Sequence, residues 1–230
     1  MGPRPGCGAS SSDSGFLRAV RLGSIASVLV AAAAILPSRV LAQDEILIND
    51  DRLPRSQFAP RPARSVTGSL AMVWTDGRNG PDNAIDYDIY AITIRDPSAL
   101  GSTVNRRIND DPAGNHFFPA IAVDQSGAVH TSWLDTRADP SNPDLLDVYA
   151  ALLIYDSNTK SFTVSPNARV TPTSMDASFG DILGDTSFIG DYIGIAATAS
   201  PVTAHPVWSN ASGILGFLVS GSLQTATLTP

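Results

Sequence analysis

Cysteine is nearly absent from this 230-residue chain, Cys7 being the only one. Residues 43–230 therefore form no disulfide and no thiolate metal site. Glutamate and lysine are just as scarce past that point. From Gln43 onward there are 20 Asp and 1 Glu against 10 Arg and 1 Lys, a net charge of −10. Asp prefers turns and caps whereas Glu builds helices, so this imbalance speaks against a helical protein. A strongly acidic surface repels phosphate backbones and anionic lipid, which argues against nucleic-acid and membrane partners. No long hydrophobic run exists either. The longest, Leu22 to Leu36, spans fifteen residues, short of the roughly twenty a membrane helix needs.

That run has a different use. Arg18 and Arg21 precede it, Pro37 breaks it, and Val40-Leu41-Ala42 supplies small residues for cleavage. Residues 1–42 thus read as an export signal, with a retained N-terminal anchor as the alternative. The remaining segment, 43–230, is predicted to work outside the cytoplasm, secreted or periplasmic. It is long enough to bury a hydrophobic core without crosslinks.

What is present is a block that occurs twice. The first copy runs from Ile48-Asn49-Asp50-Asp51 through Trp74-Thr75-Asp76-Gly77-Arg78 to Asp88-Ile89-Tyr90-Ala91. The second runs from Ile108-Asn109-Asp110-Asp111 through Trp133-Leu134-Asp135-Thr136-Arg137 to Asp147-Val148-Tyr149-Ala150. Fourteen positions separate Trp from the later Asp in both copies, and Gly68 and Gly127 each lie six before the Trp. A preserved period of this size marks a supersecondary unit stacked on copies of itself. A worn third copy follows, with Asn167-Ala168-Arg169-Val170-Thr171 matching Asn105-Arg106-Arg107-Ile108-Asn109, and Trp208-Ser209-Asn210 in place of Trp-x-Asp.

Short runs rich in Val, Ile, Thr, Tyr and Trp alternate with turn clusters, the all-β pattern. Each unit reads as four strands; in the second these are 118–124, 128–134, 147–155 and 161–164. Four-stranded units of this size suit the blades of a β-propeller, with blades near 57–109, 117–171 and 187–229, the last degenerate. The alternative is a β-sandwich. Three blades fall short of the roughly four that close a ring. The chain is then part of a longer product, or pairs with a second copy as a homodimer that completes a propeller. Loops 76–86, 109–117, 135–146 and 172–187 should gather on one rim, where a ligand would bind.

In Trp-x-Asp-x-Arg the three side chains fall on one face of a strand, so Trp packs while Asp and Arg meet at the rim. The structural reading is a clamp that recurs in every unit. The functional reading makes Asp76, Arg78, Asp110, Asp135, Arg137 and Asp191 a ligand-binding set.

These motifs resemble a family. Phe118-Pro119-Ala120-Ile121-Ala122-Val123-Asp124, Gly127, Trp133–Arg137 and Asp147-Val148-Tyr149 look like the blades of sialidase-like, BNR-repeat propellers. The stretch from Phe188 to Gly194 looks like a segment common in secreted members. The strict Asp-box, Ser-x-Asp-x-Gly-x-x-Trp, is missing. The resemblance implies an arginine triad, a Tyr nucleophile assisted by Glu, and an Asp acid/base. The single Glu45 and the one-per-blade Arg78 and Arg137 do not supply that set. Asp135, Asp191 and Tyr192 are the remaining catalytic candidates, for a glycoside hydrolase working through Asp carboxylates. The Asp-rich loops also offer oxygen ligands for Ca²⁺ at Asp82, Asp86, Asp88, Asp144 and Asp147; no other cofactor is implied. His116, His130 and His205 lack metal spacing, and surface or edge positions are expected for them. The function expected first is a non-catalytic module that binds a glycan or a protein, ahead of a glycosidase and of a purely structural repeat protein.

Overall fold

The computed structural model describes residues 47–51, 55–66, 68–80, 86–94, 104–156, 158–159, 161–178, 193–199, 202–215 and 218–229. The expected leader, the Ca²⁺ candidate Asp82 and the catalytic candidates Asp191 and Tyr192 lie outside them. Chain contacts separate Met1–Glu45 from Ile46–Pro230, and every described residue belongs to the second unit.

The fold is all-β. Among the described residues there are strands, turns and no α-helix. The first sheet is an antiparallel meander of β1 (Gln57–Arg64), β2 (Leu70–Asp76), β3 (Asp88–Ile94) and β4 (Arg106–Arg107). The second sheet repeats it with β5 (His116–Val123), β6 (Val129–Asp135) and β7 (Leu145–Asp156). Its fourth position is shared by β8 (Ser161–Val164) and β9 (Ala168–Arg169), and β10 (Met175–Asp176) adds to the near end of β7. The third is a meander of β11 (Gly194–Ala199), β12 (Val202–Leu215) and β13 (Leu218–Thr225).

Register matches the first two sheets residue for residue, and the third shares part of it. Trp74 pairs Tyr90 and Asp76 pairs Asp88; Trp133 pairs Tyr149 and Asp135 pairs Asp147. In the third sheet Trp208 pairs Gln224 and Asn210 pairs Ser222, the same offsets on the worn residues. Even the irregularities repeat. A bulge interrupts β1 between Phe58 and Arg61 and β5 between Phe117 and Ala120. At each bulge the residue before a proline, Ala59 or Phe118, has φ of 51°. One extra residue bends the strand and re-aims its side chains.

Alternation of side chains across each strand gives every sheet two apolar faces, and the Trp face of one sheet covers the opposite face of the one before. Trp133, fully buried, packs with Val129, Ala151 and Leu153 on Ala71, Val73, Ile89 and Ala91 of the first sheet. Trp208 in turn packs on Ala120, Leu134 and Val148 of the second. Trp74, Tyr90 and Ile92 form a smaller cluster with Ile48, Leu70 and Met72 on the Trp face of the first sheet.

Candidate functional site

Trp74 Nε1 donates to Asp76 Oδ2 at 2.8 Å, and Trp133 Nε1 to Asp135 Oδ2 at 2.9 Å. The spacing explains this: two residues apart on one strand, indole and carboxylate stand side by side on one face. Each carboxylate then turns the chain into the following loop, by accepting the backbone N–H of Arg78 or Arg137 at 2.9 Å. The same Arg folds back over it: Arg78 reaches Asp76 at 2.7 Å, and Arg137 reaches Asp135 at 2.8 Å. The guanidinium planes lie over the rings of Tyr90 and Tyr149, at 4.1 and 4.0 Å, a geometry that favours cation–π attraction.

The outer arm of each Arg ties in the segment before its sheet. Arg78 bonds Asp50 and, at 3.2 Å, Asn105; Arg137 bonds Asp110 at 2.7 Å and Asn167 at 3.1 Å. Asn105 and Asn167 also exchange backbone bonds with those aspartates, Asp50 N to Asn105 Oδ1 at 2.7 Å and Asp110 N to Asn167 Oδ1 at 2.9 Å. Burial alone would raise the carboxyls of Asp76 and Asp135. Hydrogen bonds from Arg78 and Trp74 in one case, and His116 and Arg137 in the other, outweigh it and hold both below the usual range. Asp110 is lowered in the same way, by Asn167 and Arg137 against a smaller burial effect than these donors combined. The two arginines are raised by their carboxylate partners in spite of burial. Asp76, Arg78, Asp110, Asp135 and Arg137 are thus brought together as two clamps, one per repeat, and not as one converging site.

The third clamp is incomplete. Trp208 Nε1 and Asn210 Oδ1 are both buried without a hydrogen-bond partner among the described residues.

The Ca²⁺ candidates separate. Asp88 accepts from Asn79 and, at 2.6 Å, from Asn109; Asp147 accepts from Thr171 at 2.6 Å, Arg169 at 2.8 Å and Ser174 at 3.1 Å. Both sit at the joint between third and fourth strands, with their oxygens taken up by protein donors. Asp86 and Asp144 lie just before β3 and β7, and among the described residues no three His, Cys, Asp or Glu side chains are grouped to hold a metal ion.

Two of the three histidines depart from the surface or edge expectation, whereas His205 is half-buried. His116 is fully buried with Nδ1 2.8 Å from Asp135 Oδ2, and His130 is buried with Nε2 2.9 Å from Asp124 Oδ2. Each imidazole is drawn inward by a carboxylate that also serves a turn or clamp. Spacing alone could not show this, since Asp135 and His116 meet only across β5 and β6.

Sequence reasoning also passed over the aromatic side chains at the bulges. Phe117 meets Phe118 at 5.4 Å, Phe118 meets Phe58 at 5.9 Å, and Phe58 meets Tyr87 at 5.0 Å, all edge to face. All four are partly exposed. Beside them the described rim loops interlock: Tyr87 N donates to Asn115 Oδ1 at 3.1 Å, His116 N to Tyr87 O at 2.8 Å, and Thr136 N to Asn115 O at 3.0 Å. The duplicated Phe58/Phe117 and Pro60/Pro119 were the available signal.

No family model matches this chain, and no curated protein matches it.

Proposed function

We propose that this chain is an exported, sialidase-like β-propeller module that binds a glycan and performs no chemistry on it. The aromatic chain Tyr87–Phe58–Phe118–Phe117 carries the binding half of the reading. Partly exposed rings, three at strand bulges and Tyr87 just before β3, offer faces and edges for the C–H surfaces of sugar rings. The neighbouring loops 109–115 and 136–144 supply Asn, Asp and backbone groups for hydroxyls. Three side-by-side meanders, with β5 contacting both β1 and β11, support the propeller arrangement.

Saturation of the clamps supports the non-catalytic half. A general acid or nucleophile needs an oxygen that can reach substrate. Asp76 and Asp135 are fully buried and committed to Trp and Arg donors.

A glycan array probed with the exported protein, followed by titration of the best hit, tests the reading. Tyr87→Ala is expected to weaken that hit about tenfold, or ~1.4 kcal/mol, with the melting temperature little changed. Synthetic aryl glycosides should be left intact. Binding to a protein with no glycan retained would replace the ligand class, and hydrolysis lost on Asp135→Asn would replace the non-catalytic reading.

A further inference from the structure

The two ends of the sheet array carry complementary halves of a joint that the chain builds twice internally. In the first joint, the segment after β3 lies along it as a fourth strand: Ile108 N donates to Ile89 O at 2.9 Å, and Asn109 Nδ2 to Asp88 at 2.6 Å. Asn109 Oδ1 accepts from Ile89 N at 2.9 Å. In the second joint Val170 N donates to Val148 O at 2.8 Å, and Thr171 Oγ1 to Asp147 at 2.6 Å. The Trp face of the following sheet then closes over Ile89 and Val73 in one case, Val148 and Leu134 in the other.

The third sheet has the receiving half. By register Ser222 stands where Asp88 and Asp147 stand, and Leu223 where Ile89 and Val148 stand. No described strand pairs with the outer edge of β13. Leu223 is 81 % exposed and Val207 39 %, whereas Ile89, Val73 and Val148 are fully buried.

The start of the array has the inserting half. Ile48-Asn49-Asp50 repeats Ile108-Asn109-Asp110, and Asn49 Nδ2 donates to Asp51 O at 3.2 Å as Asn109 Nδ2 does to Asp111 O at 3.0 Å. The other partners of Asn109 have no counterpart at Asn49 among the described residues, and Leu47 is 68 % exposed. A groove of about 190 Å³ opens beside it, lined by Ile48, Phe58, Pro60, Met72 and Trp74.

From this we infer that the partner for the β13 edge is a second copy of this chain, whose Leu47–Asn49 segment adds as the fourth strand of the third sheet. Ile48 of one copy pairs with Leu223 of the other, Leu47 with Gln224, and Asn49 with Ser222. Leu70 and Met72, the partly exposed residues beside the buried Trp74 on the first sheet, settle over Val207 and Leu223. The joint is head to tail, and a ring of two copies is the smallest closed form that leaves neither edge open. The inference rests on the repeated packing alone and not on the ligand reading, so loss of glycan binding would leave it standing.

Light-scattering mass of the exported chain across a dilution series tests it, with two neighbouring and solvent-facing substitutions. The unaltered chain should run at twice its own mass. Leu223→Asp puts a charge where Ile89 and Val148 are buried, and should give the single-chain mass with an unchanged far-ultraviolet spectrum. Ser222→Asp restores the carboxylate of the other two sheets, and should lower the dissociation constant about tenfold. A single-chain mass for the unaltered protein at all concentrations would overturn the inference. So would a dimer that neither substitution moves.

Discussion

Asp76 and Asp135 are held below the ordinary carboxyl range, against their burial, by the donors that surround them. A depressed folded value means that the unfolded chain takes up protons first as pH falls. The stabilisation is therefore complete above the unfolded value of about 3.8 and is lost as pH drops through the lower folded value. The melting temperature of the wild type should exceed that of Asp76→Asn by a constant margin between about pH 5 and pH 7. The margin should shrink steadily below about pH 4. A margin undiminished at the lowest pH that keeps the protein folded would mean that the carboxylate charge contributes nothing. His130 adds a second inward-facing group: Asp124 takes its Nε2 and also the N–H and hydroxyl of Ser126, at 2.8 and 2.6 Å, which fastens the β5–β6 turn.

The elements were legible where the side-chain pattern is local. Alternation in 129–135 and the turn residues Asp124–Gly127 specify the hairpin, and the structure places β5, β6 and β7 within a few residues of the expected strands. The Trp–Asp half of the clamp was legible too, since residues at i and i+2 share a strand face. The Arg half was not expected this way, because β2 and β6 end at Asp76 and Asp135 and a turn brings Arg78 and Arg137 back. Contacts made only across strands or between sheets were not. His116 finds Asp135 through register, and Phe58 finds Phe118 through packing of two sheets, neither of which a linear spacing encodes. The connection between the first two sheets depends on one such contact. Gly114 has φ of +82°, and a Cβ there would lie 2.7 Å from Thr136 Oγ1 and 2.9 Å from Arg137 N. Gly127 has φ of +86° with nothing within 4 Å of its absent Cβ. Gly127→Ala should then cost about 1 kcal/mol, from backbone conformation alone. Gly114→Ala adds a backbone clash and should cost about 3 kcal/mol. Urea unfolding of the two variants checks the difference; equal losses would remove the close approach of the 109–115 connection from the account.

At the scale of the whole molecule, one device is built into two successive sheets and partly worn away in the third. Asp76–Arg78 and Asp135–Arg137 each join a strand end, a loop and the segment leading into the sheet. Stacking of Trp133 on the first sheet and Trp208 on the second makes those sheets interdependent, so the array should unfold in one transition. Replacing either Asp leaves an Arg that is 14 % or 9 % exposed without its buried partner, a loss of about 3 kcal/mol. For a folded unit of this size that is a drop of roughly 8 °C. The most direct test of the account is thermal unfolding of Asp76→Asn and Asp135→Asn, singly and together. Two similar drops that add in one cooperative transition, with glycan binding retained, are the expected result. Melting temperatures unmoved by either substitution, with an activity lost instead, would show that the repeated carboxylates serve chemistry and not the fold.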